Sequence, residues 1–226
     1  LNPVLRSMWL EGRWDVFQGM YFDMWNILHH VVMKEDFVFG THFTKGTHSL
    51  YRFYDYGTKA PFVCLFAAVD DDKNMVIYDE IVETGLSASK QAEFVNNYTW
   101  EKYKQKPQDF TDEIADPAYW TKHSEKEGLP YSPAMFYADA EIYLTKGNND
   151  RKSGAKVVYD GLEVPTEGIP RVRFTDNCNY CIDTIPNLPR WIWSPQRPLE
   201  NFGGYGTPVS NLDDLTHGSF IWTGTY

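Results

Sequence analysis

Three acidic positions stand where a carboxylate could be presented at the end of a secondary-structure element: Asp55 in Tyr54-Asp-Tyr-Gly57, Asp116 in Ala115-Asp-Pro-Ala118, and the adjacent Asp213 and Asp214 in Asn211-Leu-Asp-Asp-Leu215. Each has a plain structural explanation. Asp-x-Gly is a turn sequence; an Asp before Pro is a helix cap, as an Asp pair before an apolar segment can be. Together, however, the three sites can converge at one rim of a sheet, and the chemistry that needs such a cluster is divalent-metal binding. Hard cations such as Mg²⁺ and Mn²⁺ take oxygen ligands, and two ions about 4 Å apart clamp the attacking and leaving oxygens of a phosphodiester displacement. They also cancel the repulsion that raises the pKa of a clustered acid.

The elements that must position these acids follow from the apolar pattern. Runs at 50–55, 61–69 and 75–82 are rich in β-branched and aromatic residues, with the turn-like Asp70-Asp-Asp-Lys-Asn74 between the last two, and predict a three-stranded meander. After Gly85, Ser87 or Ser89 is expected to cap a helix running to about residue 104, with Pro107 ending it. A short strand over 110–115 then runs into Asp116-Pro117, followed by a helix over 118–127 with Gly128 beyond its end. Further expectations are a short strand at 140–144, a polar loop over 146–154, a helix from about 154 to 162 and a strand at 171–174. Residues 1–36 read as an irregular arm with bulky apolar anchors, and Pro and Gly residues from 186 to 208 as a long connection. Strands, helix, strand and helix in this order indicate an α/β or α+β layer fold in a single domain.

Composition narrows the function. The chain has 226 residues, 42% hydrophobic and 16% aromatic, which suffices for a core and excludes a disordered tail. No apolar run is long enough for a membrane span, and Arg6, Glu11 and Arg13 interrupt the place where a signal peptide would need apolar residues. Three cysteines, Cys64, Cys178 and Cys181, argue against a disulfide framework and for a reducing compartment such as the cytosol. The formal charge of −10 disfavours non-specific attraction to nucleic acid.

Other chemistry-bearing residues carry less. Cys178-Asn-Tyr-Cys181 has zinc-like spacing without a second pair. His29 and His30 are adjacent and are expected at the surface; Asp139 and Glu141 share a face if that segment is extended. Lys102, Lys104 and Lys106 could meet phosphates or solvate a helix end. Trp191 and Trp193, sharing one face of a strand, would suit a carbohydrate-binding or glycoside-cleaving module, whose paired carboxylates need no metal. A structural virion or docking protein is a third reading.

The ordered set of motifs resembles the C-terminal nuclease domain of the large terminase subunit of tailed bacteriophages. Trp9-Leu-Glu-Gly-Arg-Trp-Asp15 with Gly19-Met-Tyr-Phe22 resembles the segment joining that family's ATPase to its nuclease, Tyr54-Asp-Tyr-Gly57 its first acidic motif and Ala115-Asp-Pro-Ala118 its second. Asn148-Asn-Asp-Arg151 with Gly154 is similar to its Asn-Asp-Arg-x-x-Gly segment, and Asn211-Leu-Asp-Asp-Leu215 to its late acidic motif. The late motif departs from the family in continuing to His217 where a further acid is common. No phosphate-binding loop of the ATPase type occurs.

The resemblance implies an RNase H-like mixed β-sheet flanked by helices, with 1–36 as the arm from an ATPase domain and 37–226 as the nuclease core. It implies an endonuclease that cuts double-stranded DNA during viral genome packaging with two Mg²⁺ or Mn²⁺ ions. Asp55, Asp116 and Asp213 would be catalytic, Asp214 an alternative metal ligand, and Arg151 and Lys152 contacts to DNA phosphates. Implied partners are double-stranded DNA, the packaging ATPase, the portal protein and the small terminase subunit, in the host cell cytoplasm and away from membranes.

Overall fold

The computed structural model describes residues 21–37, 48–58, 60–122, 124–126, 128–148 and 150–188. Their centre is β3 (Phe62–Val69), whose eight residues are all buried. Such a strand must be covered on both faces, and its side chains alternate between two cores. Val63, Leu65, Ala67 and Val69 belong to one cluster, and Phe62, Cys64, Phe66 and Ala68 to the other.

Seven strands form the sheet. A short helix, α1 (Ile27–His30), leads into β1 (Val31–Val32); then come β2 (Ser49–Asp55), β3, β4 (Met75–Glu83), β5 (Asp112–Ala115), β8 (Thr145–Lys146) and β9 (Val172–Thr175), in the spatial order β1-β9-β4-β3-β2-β5-β8. β2, β3 and β4 are the expected antiparallel meander. β5 pairs in parallel with β2, β8 with β5, β9 with β4 and β1 with β9. The carboxyl ends of β2, β5 and β8 therefore share one rim. The end of the N-terminal arm also joins the sheet, as β1.

Helix α2 (Ala88–Tyr103) and α3 (Pro133–Asp139) contribute to the core on the Phe66 face; α4 (Arg151–Leu162) and α5 (Asn179–Thr184) contribute to the core on the Leu65 face, with Phe22 and Trp25 of the arm.

Several local expectations change. Tyr103 rather than Pro107 closes α2, because Lys104 adopts the left-handed conformation at φ 55°; Pro107 instead opens a 3-10 turn over Pro107–Asp109. Among the described residues of 118–127 there is no α-helix. The polar run from Thr121 to Glu127 has no apolar stripe to bury, and the chain makes a 3-10 turn at Pro117–Trp120, then a hairpin of β6 (Ser124–Lys126) and β7 (Leu129–Tyr131) with Gly128 at φ 76°. The strand expected at 140–144 does not form: α3, which Pro133 opens after Ser132, ends at Asp139, residues 140–144 follow it as a turn and irregular backbone, and only Thr145–Lys146 pair. Ile142 is fully buried while Tyr143 is exposed, an alternation without a ladder. Helix α4 starts at Arg151 rather than near 154.

His30 is fully buried, against the expectation of a surface histidine, while His29 is exposed. The His30 ring stacks on Trp25 and its Nε2 lies 2.7 Å from the Leu162 carbonyl oxygen, pinning the arm to the end of α4.

Candidate metal centre

Asp55 is the last residue of β2, and Asp116 follows the last residue of β5. The two strands run parallel with Tyr54 opposite Ala115, so one further step brings Asp55 beside Asp116. The Asp116 amide donates to the Tyr54 carbonyl at 3.0 Å, which carries the ladder to this point.

Beyond Asp55 the backbone turns back on itself at Gly57. A Cβ there would lie 2.3 Å from the Pro61 carbonyl oxygen and 2.4 Å from that of Ala60, so only glycine fits. The fully buried Gln91 of α2 donates to the Gly57 carbonyl at 2.7 Å and to that of Leu86 at 2.9 Å, and the Gly85 amide donates to the Thr58 carbonyl at 2.9 Å. Sequence reasoning missed Gln91. Its signal is a long polar residue in a helical stripe with Ala88, Ala92 and Val95, all buried.

The site's electrostatics single out Asp55. It is 5% exposed, and its carboxyl is pushed up to about 8, first by burial and then by the charge of Asp116, with a backbone hydrogen bond at Tyr56 pulling the other way. Among the described residues no side chain donates a hydrogen bond to it and no cation pulls its carboxyl back down. Asp116 is half-buried, and its Oδ1 accepts the Ala118 amide at 2.6 Å, so it does cap the turn at Pro117. That bond uses one of its two oxygens.

The Asn148–Arg151 segment begins at the same rim. Lys146 pairs with Ala115, and the Gly147 amide donates to the Ala115 carbonyl at 2.8 Å, one residue before Asp116. The Asn148 side chain accepts the Asp150 amide at 2.9 Å, after which Arg151 and Lys152 open α4.

The remaining candidates are elsewhere. Asp213, Asp214, His217, Trp191 and Trp193 lie outside the described residues. Asp139 pairs with Lys126 and accepts from the Tyr131 hydroxyl at the hairpin, and Glu141 takes up the left-handed conformation at φ 63°. Lys102 is bound to Asp79 at 2.6 Å, while Lys104 and Lys106 lie over the Trp100 ring at the end of α2 away from Gly57, about 24 Å along the helix. Cys178 and Cys181 are buried thiols. Among the described residues no three potential ligands assemble, and Asp55 and Asp116 stand as a pair. Their chemistry nevertheless fits a hard divalent cation: two carboxylates at one rim, one of them buried without a compensating charge.

Comparison by sequence finds no matching family model and no matching curated protein. Comparison of structures does. The large terminase of a thermophilic bacteriophage superposes with a TM-score of 0.60 at 17% identity, over 88% of this chain and 43% of that terminase. The same terminase in complex with ATP-gamma-S gives the same TM-score and coverage. The P22 large terminase nuclease domain superposes with a TM-score of 0.55 at 12% identity, over 89% of this chain and 91% of that domain. The fold is that of the large-terminase nuclease domains. It is the RNase H-like mixed sheet flanked by helices that the motifs implied. The chain spans less than half the length of the thermophilic phage terminase but nearly all of the P22 nuclease domain. Among the described residues no helix is long and apolar enough to cross a membrane.

Proposed function

We propose that this chain is the nuclease part of a DNA-packaging terminase large subunit, a metal-dependent endodeoxyribonuclease that cuts double-stranded concatemeric DNA. One observation carries the reading: Asp55, buried at a strand end beside Asp116, has among the described residues no cation and no side-chain hydrogen bond that favours its ionised form. A carboxylate held in this way is suited to a metal ion. Asp55 and Asp116, with Asp213 or Asp214 as the third acid, would hold two Mg²⁺ or Mn²⁺ ions. The ions would supply the activated water and the stabilisation of the leaving oxygen.

The chain's own residues have complementary tasks. Gly57 and Gln91 fix the loop behind Asp55, and Arg151 and Lys152, opening α4 at the same rim, would contact DNA phosphates. With a net charge of −10 the isolated chain is expected to hold DNA weakly. The packaging ATPase, of which the thermophilic phage terminase in complex with ATP-gamma-S is suggestive, would deliver the DNA together with the portal and the small subunit, in the host cytoplasm. In this reading residues 1–36 connect the ATPase to the nuclease core of 37–226.

The deciding experiment is plasmid cleavage. Purified protein is expected to nick or linearise supercoiled DNA with millimolar Mn²⁺ or Mg²⁺ and to stop in EDTA, with little sequence preference. Intact plasmid across millimolar Mn²⁺, with folded protein, overturns the reading.

A further inference from the structure

Arg52 and Glu113 form an ion pair in the interior, 0% and 5% exposed, across the parallel strands β2 and β5. The bond is two-pronged: Arg52 Nε donates to Glu113 Oε2 at 2.8 Å, and Nη2 donates to Oε1. Nη1 donates to Thr99 Oγ1 at 3.0 Å, the Tyr54 hydroxyl donates to Glu113 Oε2 at 2.6 Å, and the guanidinium lies 4.0 Å from the Phe110 ring centre. Burial pushes the Glu113 carboxyl up, while Arg52 and Tyr54 pull it down.

Such a pair is a weak source of stability, because well-packed apolar residues in its place are often as stable or more so. What it supplies is register. β5 has only four residues, of which Ile114 and Ala115 alone are apolar, and its outer neighbour β8 has two. A slip of β5 by two residues would preserve which side chains face which core, so the apolar pattern opposes it only weakly. That slip would move Asp116 by about 6.6 Å along the sheet, more than the roughly 4 Å between paired ions. It would also strand Arg52 without its fork of oxygens, a heavy penalty in the interior.

The pairing runs directly to the acids. Arg52 faces Glu113; two residues on, Tyr54 faces Ala115; the next residues are Asp55 and Asp116. Tyr54 is held at both ends, its hydroxyl on Glu113 and its carbonyl on the Asp116 amide. We propose that the Arg52–Glu113 pair is the positioning device of the acid site, locking β5 in the one register against β2 that sets Asp116 beside Asp55. The metal-binding consequence rests on the nuclease reading above; the register does not.

The test replaces the buried polar set by apolar residues of similar size: Arg52→Met, Tyr54→Phe and Glu113→Leu together. The variant is expected to fold cooperatively with a melting temperature at or above that of Arg52→Met alone. Its Asp116 amide is expected to exchange with deuterium at least tenfold faster than in the parent, while amides of β3 keep their protection. Mn²⁺ affinity is expected to fall at least tenfold, whereas Tyr54→Phe alone, which keeps the ion pair, stays near the parent in both readouts. Where the triple variant does not fold, Arg52→Lys, which keeps the charge and loses the fork, gives the same two measurements. An Asp116 amide as protected as in the parent overturns the proposal. A parent that binds no Mn²⁺ and cuts no DNA overturns the nuclease reading instead, and amide exchange still decides the register.

Discussion

Asp79 and Asp55 are both buried acids on the same sheet, and they are treated in opposite ways. Asp79, in the middle of β4, accepts from the Tyr98 hydroxyl at 2.9 Å, the Tyr103 hydroxyl at 2.5 Å, Lys102 Nζ at 2.6 Å and Asn177 Nδ2 at 3.0 Å. These donors come from α2 and from the turn after β9, so the carboxylate ties three parts of the chain together. Asp55 has a backbone contact at Tyr56 and the like charge of Asp116. A buried acid whose lone pairs are filled is part of the fold; one facing another acid is strained until something positive arrives. The surroundings of a carboxylate, more than its burial, separate the two roles.

The largest effect expected from this contrast is on activity. Asp55→Asn should reduce metal-dependent plasmid cleavage by about 10³-fold, roughly 4 kcal/mol in the barrier. In EDTA the variant should melt at or above the parent, since the substitution removes a carboxyl that burial and Asp116 force to keep its proton above the ordinary carboxylate range. Mn²⁺ should raise the melting temperature of the parent by mass action on the native state and leave that of the variant nearly unmoved. A variant that is destabilised yet keeps its Mn²⁺ shift and its cleavage would make Asp55 a turn residue.

Asp79→Ala should do the reverse. Removing it leaves two tyrosine hydroxyls, an amide and a lysine without their acceptor, and should lower stability by about 3 kcal/mol. In thermal melts that is roughly 6 to 12 °C for a chain of this size. The Mn²⁺ shift should survive in full. Its loss together with stability would show that the two acids are energetically coupled and would dissolve the contrast.

A third expectation concerns pH, and its sign is opposite to that of a salt-bridged acid. Below the ordinary carboxylate range both folded and unfolded chains carry the Asp55 proton, and burial costs nothing. As the pH rises toward 8 the unfolded chain releases this proton first, so the native state loses stability by up to about 1.4 kcal/mol per pH unit. Urea unfolding in EDTA at pH 5 and pH 7 should therefore show the parent losing up to about 2.7 kcal/mol relative to Asp55→Asn. The difference between the two proteins matters, because burial also raises Glu80 and Glu113. Parallel pH profiles would mean that Asp55 is compensated after all.

The sequence made the central meander legible because β2, β3 and β4 are dense in β-branched and aromatic residues, and the punctuation around them is unambiguous. Asp55 and Asp116 were visible as strand-end acids, although nothing in one dimension reveals that Tyr54 faces Ala115 and so brings them together. What was not legible depends on long-range partners. Gln91, Arg52 and Glu113 look like surface residues until the loop and the strand they hold are placed. The helix expected over 118–127 and the strand expected over 140–144 differ from the structure because the elements of this region are short, and a three-residue hairpin arm carries too little pattern to separate from a polar helix. His30 looked exposed for a related reason: its acceptor, the Leu162 carbonyl, is 132 residues away.

The smallest effect expected lies beside the acid pair rather than in it. Acids at the rim disfavour a phosphodiester, and the chain's charge of −10 adds to that, so a cation near the rim is needed to offset it. Arg151 opens α4 directly after the loop that hangs from Ala115, where the helix N-terminus also favours an anion. Arg151→Ala should slow cleavage about fivefold at low salt, roughly 1 kcal/mol. The gap should narrow as salt rises, since the lost contact is electrostatic. Stability should change by no more than about 0.5 kcal/mol. Paired cleavage and melting measurements on parent and variant check both halves. Unchanged cleavage at every salt concentration would remove Arg151 from the DNA contacts. A large fall in melting temperature would assign it, like Asp79, to the fold, and the cation that offsets the acids would then have to be sought elsewhere on the rim, beginning with Lys152 and Lys146.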